Sequence, residues 1–190
     1  EQRLRERSPH FAVLRLSTNC RNTRQIAEET AMLSGFESFP YRLNAAEGPP
    51  VDMRYWTSPD DQLRELERAL EDLERDGLSP EQITILSPNR LDNSVASHLP
   101  KRRWPVFDVT SPEAHGAPRN CVRFSTIQAF KGLETSVGVL TDLQGMEGPH
   151  RNALLYVAMS RARACLVMLT HQSFKPHVEM SFRRRRSGTQ

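Results

Sequence analysis

Three short segments of this 190-residue chain concentrate residues able to meet an anionic or polar ligand. They are Asn19-Cys20-Arg21-Asn22-Thr23, the stretch Ser125 to Glu134 (STIQAFKGLE), and the stretch Leu155 to Arg163 (LYVAMSRAR). A guanidinium is always charged and planar, so Arg21 and Arg161 are fixed cations. Lys131 stands out because the chain has only two other lysines, Lys101 and Lys175, against many arginines. Singly, each segment has an ordinary explanation. An arginine before a helix is usually solvated, KGLE fits many surface turns, and Arg161 and Arg163 could simply complement a helix C-terminus.

The elements around these segments make them more specific. Phe11 to Leu16 (FAVLRL) reads as a strand, followed by a polar loop in which Asn22 or Thr23 can cap the next helix. Ile26, Ala27, Thr30, Ala31 and Leu33 give that helix its apolar face, and Gly35 suits its stop. Val51 to Trp56 alternates like a strand. Ser58-Pro59 opens a second helix carrying Leu63, Leu66, Ala69, Leu70 and Leu73, ended by Gly77. Ile83 to Ser87 (ITILS) has the continuous apolar character of a buried parallel strand.

Asn89 to Leu99 reads as helical, and one more strand is expected near Val106. Val122 to Thr126, Val137 to Leu140 and Leu166 to Leu169 read as strands, with a helix over Asn152 to Ala164. Strands alternating with helices predict a parallel α/β sheet. The polar clusters then fall at strand–helix junctions, where open α/β sheets collect ligands.

Charge is unevenly distributed. Of 26 basic residues, four form the run Arg183 to Arg186, and the remaining 22 face 23 acidic residues. The body is therefore near neutral, and any nucleic-acid contact must be local. The run itself reads as a solvated tail, with phosphate binding as the sharper alternative. Cys20, Cys121 and Cys165 have neither zinc-site spacing nor an even count, and read as reduced core residues of a cytosolic protein. No apolar run is long enough for a membrane span and no signal peptide is evident. The charged start without an initiator Met suggests a piece of a longer protein.

In order and combination, the three segments resemble motifs of the UvrD/Rep/PcrA-type superfamily 1 DNA helicases. Asn19 to Thr23 is similar to motif IV (NYRST or NYRNT), Thr126 to Glu134 to motif V (TxHxxKGLE), and Tyr156 to Ala162 to motif VI (YVAxTRA). Ile83 to Ser87 with Asn89-Arg90 resembles the strand segment between motifs IV and V. The resemblance spans about Leu16 to Leu169 and implies the second RecA-like motor domain, an α/β fold of the P-loop NTPase type without its own phosphate loop. It divides the chain into a linker or tail of a preceding helix (1–10), the motor domain (11–175) and a basic, disordered tail (176–190).

Roles follow from the resemblance. Arg21 and Arg161 are expected to reach the γ-phosphate of ATP, where negative charge spreads over the equatorial oxygens during transfer. Glu134 is expected to accept from the ribose, with Gly132 beside it. Thr126, Gln128 and Lys131 are expected to contact single-stranded DNA. Departures are visible: Cys20 stands where Tyr is usual, Gln128 where His is usual, and Ser160 where Thr is usual. The stretch between Asn89 and Arg123 is far too short for the domain often inserted there.

Neither GxxxxGK[ST] nor a strand ending in Asp-Glu occurs in the sequence. ATP with Mg²⁺ is thus expected to be held by a preceding RecA-like domain of the same polypeptide, and this chain alone is expected to be inactive. A cytoplasmic, nucleoid-associated prokaryotic monomer is the expected setting. A regulatory domain keeping the fold, an ATP-independent nucleic-acid-binding module, and an RNA helicase of the same superfamily are the alternatives.

Overall fold

The structure, a computed structural model, describes residues 18–19, 21–35, 42–43, 46–111, 118–144 and 148–187. The expected linker at 1–10, the expected strand Phe11 to Leu16 and Cys20 lie outside these residues. A short parallel pair, β1 (Thr18–Asn19) and β2 (Arg42–Leu43), stands apart from the main sheet. The main sheet has six strands: β3 (Asp52–Trp56), β4 (Ile83–Ser87), β5 (Val106–Asp108), β6 (Val122–Thr126), β7 (Thr135–Leu140) and β8 (Ala162–His171). Their spatial order is β3-β8-β7-β4-β6-β5, and every pairing is parallel. The expected parallel α/β fold is therefore present.

Alternation along the strands supplies two apolar faces. Ile83 and Ile85 of β4, Val137 and Val139 of β7, and Val167 and Leu169 of β8 pack under α2 (Pro59–Arg75) through Leu66, Ala69, Leu70 and Leu73. Leu86, Leu140, Leu166 and Met168 face the opposite layer. That layer comprises α1 (Arg24–Ser34), α3 (Gly148–Met159) and α4 (Lys175–Ser187), contributing Ile26, Leu33, Leu155, Ala158, Met159 and Val178. Because both faces are covered, β4 is buried at all five positions, as its short, largely apolar run anticipates.

Local signals behave as their chemistry dictates at several ends. Ser58 Oγ accepts from Asp61 N at 3.3 Å, Pro59 starts α2, and Gly77 follows it at φ +86°. Gly35 ends α1 in the left-handed region at φ +65°, its amide donating to Ala31 O.

Four expectations change. Asn89 to Leu99 forms two 3₁₀ turns, at Leu91–Asn93 and Val95–His98, because Ser94 Oγ and the Val95 amide are drawn to the carboxylate of Asp142. The helix expected to reach Ala164 stops at Met159, and the following strand begins at Ala162 rather than Leu166. Ser160 Oγ and Arg161 Nε both donate back to Val157 O, at 3.0 and 3.1 Å, closing the helix end. Residues 176–187 are helical instead of forming a disordered tail, and Val178 and Phe174 anchor that helix in the core. Finally, neither Asn22 nor Thr23 caps α1 with its side chain. Asn22 has another task, described below.

Cys121 and Cys165 are free thiols, buried and half-buried respectively. Burial is the main cause pushing both thiols above their ordinary pKa, in keeping with inert packing residues. Among the described residues no helix is long and apolar enough to cross a membrane.

Candidate functional site at the start of strands β7 and β8

The loop before α1 is sewn to the start of β8. Asn22 Nδ2 donates to the carbonyls of Ser160 and Ala162, and Thr23 N donates to Arg163 O at 2.9 Å. The start of β7 joins the same seam: Thr135 N donates to Arg161 O at 3.0 Å. Backbone contacts thus hold Arg21, Glu134 and Arg161 in one place, although they are distant in sequence.

The loop's support on its other side is tight. A methyl group at Gly48 would lie 2.5 Å from Thr23 Cγ2 and 2.7 Å from Thr23 Cβ, on a β-branched side chain with little room to turn. Gly48→Ala is expected to cost about 1–3 kcal/mol, as overpacking does. Urea unfolding of the chain measures this, and an unchanged midpoint would show that the seam yields freely.

Arg161 is the central group. Only 9 % of it is exposed. Its fork donates to Val157 O, to Leu133 O at 3.3 Å and to Ser160 Oγ at 3.0 Å. All three acceptors are neutral. Among the described residues no carboxylate forms an ion pair with it. Burial, then the neighbouring charge of Arg21, hold its pKa below the ordinary arginine value; Glu134 and Tyr156 pull the other way. A partly desolvated cation with neutral partners, and a second cation beside it, favours a negatively charged visitor.

Glu134 links the other charges. Its Oε1 accepts from Arg21 Nε at 2.8 Å, and its Oε2 lies 3.7 Å from Arg163 Nε. These three side chains are between 37 % and 60 % exposed, so the pairs are screened by solvent. Leu133 (52 % exposed) and Tyr156 (47 % exposed) stand next to them as large uncovered apolar side chains. Gly132 turns at φ +93° in the open, a conformation that suits glycine.

Thr126, Gln128 and Lys131 are not all at this place. Thr126 ends β6 and Ser87 ends β4, paired side by side. Ile127 N donates to Ser87 O at 2.8 Å, and Thr126 Oγ1 accepts from Ala129 N at 3.2 Å, which opens the turn carrying exposed Gln128. This is the C-terminal edge of the sheet, whereas Glu134 and Arg161 lie at the N-terminal ends of β7 and β8. The six residues of β7 span the difference, about 20 Å at about 3.3 Å per residue. Residues 127–134 make the return journey across the α1–α3 face, with Phe130 buried as the mid-point anchor and exposed Lys131 beyond it. The motif-bearing residues therefore form two groups at opposite edges, joined by one segment.

Sequence reasoning passed over Asp142. Its carboxylate is 5 % exposed and accepts from Gln62 Nε2 at 3.0 Å, Ser87 Oγ at 2.6 Å, Ser94 Oγ at 2.6 Å and Val95 N at 3.3 Å. Its backbone is left-handed at φ +59°. It ties α2, β4 and the 3₁₀ turns to the C-terminal edge near Thr126. A lone aspartate after an apolar strand has no spacing signal that could have singled it out. Arg163, which sequence reading treated only as a helix-end cation, is the other addition. Among the described residues no cluster of side chains is arranged to hold a metal ion.

No family model matches the chain, and no curated protein matches it. Solved structures do. The C-terminal domain of a possible DNA helicase from Lactobacillus plantarum WCFS1 is 17 % identical, with a TM-score of 0.66, covering 85 % of this chain and 92 % of that one. The C-terminal part of the Fun30 ATPase domain is 9 % identical, covering 64 % of this chain and 44 % of that one, at a TM-score of 0.42 that carries no weight. With its six parallel strands flanked by helices, the chain has a helicase C-terminal-like α/β fold.

Proposed function

We propose that this chain is the second motor domain of an ATP-dependent, UvrD/Rep/PcrA-type DNA helicase or translocase, presenting arginines to a nucleotide held by a preceding domain. The observation that carries the reading is Arg161: a buried guanidinium with neutral hydrogen-bond partners, beside Arg21, on a surface with exposed Leu133 and Tyr156.

The donor set fits the phosphate end of a nucleotide. Arg161 is pre-oriented by three acceptors and keeps its fork rigid, while Arg21 is exposed and paired through Nε with Glu134. Such donors stabilise charge that develops during phosphoryl transfer. Glu134 and Gly132 would line the sugar side. ATP with Mg²⁺ supplies the phosphoryl group when bound, and its phosphate cradle and metal ligands belong to the preceding RecA-like domain.

Thr126, Gln128 and Lys131 would meet single-stranded DNA at or near the other edge. Residues 126–134 then connect strand to nucleotide through one covalent segment anchored by Phe130, a short physical route for coupling. A monomer working in the cytoplasm fits this reading.

The test is ATP turnover by the full-length protein with and without oligodeoxythymidylate. Turnover is expected to rise with the strand, and Gln128→Ala is expected to raise the strand concentration for half-maximal stimulation about tenfold, the weight of one hydrogen bond to a charged group. Absence of ATP turnover under both conditions would overturn the proposal. An oligoadenylate RNA arm separates the DNA reading from the RNA one.

A further inference from the structure

The run Arg183 to Arg186 closes α4, a folded helix whose first half is tied down. Phe174 and Val178 lie in the core, His177 Nε2 meets Leu33 O at 3.0 Å, and His177 Nδ1 meets Arg151 Nη2 at 3.1 Å. Beyond Val178 the helix leaves two large apolar side chains exposed, Met180 and Phe182. Phe182 immediately precedes the four arginines. The helix carries five basic residues, Lys175 and the run, against one acidic residue, Glu179. Four of the cations fall within about 6 Å of helix axis, at about 1.5 Å per residue. One or two cations complement the carbonyl end of a helix. Four concentrate charge that a polyanion neutralises with release of its bound counterions.

The apolar pair selects the polyanion. Met180 and Phe182 are two positions apart, about 200° around the helix, so they face away from each other. No single apolar stripe is offered to a lipid surface or a protein groove. A lone aromatic ring beside clustered cations suits a single strand, whose unstacked base takes the ring and whose phosphates take the cations. Resting on the DNA reading above, we propose that the end of α4 is a further single-stranded DNA contact, separate from Thr126, Gln128 and Lys131. Phe182 stacks on a base there, and the charge of Arg183 to Arg186 holds the phosphates on either side of it.

The experiment is a salt titration of labelled oligodeoxythymidylate binding to the full-length protein without nucleotide. Replacing Arg184, Arg185 and Arg186 together by Gln, which is a comparable helix former, is expected to lower the slope of log K against log salt by about 2, since each single-strand phosphate contact contributes about 0.7. The matching triple Lys variant keeps the wild-type slope, because charge is what the contact requires. Phe182→Ala is expected to weaken binding about five- to tenfold at every salt concentration, and Phe182→Trp to recover it. Binding to a duplex of the same length is unchanged by Phe182→Ala, because stacked bases offer the ring no face. The assignment is overturned if the Gln variant keeps the wild-type slope, if the Lys variant loses it, or if Phe182→Ala weakens duplex binding as much as strand binding. It is also overturned if the Gln variant loses binding only to oligouridylate or only to phosphatidylserine vesicles. A wild type that binds no oligodeoxythymidylate overturns the DNA reading as well, whereas a wild-type slope in the Gln variant, with Gln128→Ala still weakening binding, overturns this contact alone.

Discussion

Asp142→Ala is expected to lower the stability of the chain by about 3–5 kcal/mol, the cost of leaving several buried hydrogen-bond donors without an acceptor. The substitution leaves Gln62 Nε2, Ser87 Oγ, Ser94 Oγ and Val95 N without their shared acceptor in a site that is almost closed to water. It also places alanine at φ +59°, a conformation that costs most side chains about 1–2 kcal/mol. In a domain of this length the melting temperature is expected to drop on the order of 10 °C. Asp142→Asn is the informative partner. Asparagine tolerates the left-handed backbone and keeps one acceptor, and the serine hydroxyls can rotate to accept from its amide. Its loss is expected to be less than half as large. Equal melting temperatures for wild type and Asp142→Ala would show that the node does not hold this edge together.

Arg161→Ala is expected to lower kcat for ATP hydrolysis by the full-length protein by about 10³-fold, the lower end for an arginine acting on a transferring phosphoryl group. The same change removes three hydrogen bonds to Val157 O, Leu133 O and Ser160 Oγ. Two of those acceptors are backbone carbonyls at a partly exposed turn, so a melting-temperature decrease of a few degrees is expected alongside, far short of unfolding. Arg161→Lys distinguishes charge from geometry. Lysine keeps the cation but cannot hold three acceptors and a phosphate in one rigid plane, so most of the kcat loss is expected to persist.

The sheet was legible because burial on both faces leaves an unmistakable trace. Ile83 to Ser87 is buried at every position, and its neighbour β7 is buried at five of its six. The grouping of Arg21, Glu134 and Arg161 was legible only through the order of the motifs; nothing in their spacing encodes the backbone seam between Thr23, Arg163, Arg161 and Thr135. Element ends were less legible. The apolar spacing of α3 continues past Met159, and what ends the helix is a pair of side chains turning back to Val157 O. The pull of Asp142 on Ser94 and Val95 dissolves the helix expected at Asn89 to Leu99, and that is a tertiary effect over about 50 residues. Placing Thr126 and Glu134 at opposite edges required the topology. β4 lies between β6 and β7, so the short segment joining them must cross the sheet before β7 can run parallel.

A domain proposed to supply a catalytic cation to a nucleotide held elsewhere should speed hydrolysis without setting nucleotide affinity. The most direct test is single-turnover hydrolysis of ATP by the full-length protein at saturating enzyme and single-stranded DNA, wild type against Arg161→Ala, with nucleotide affinity measured in parallel. The variant is expected to bind ATP within about tenfold of wild type while its hydrolysis step slows about 10³-fold. A hydrolysis step within about twofold of wild type would contradict that role.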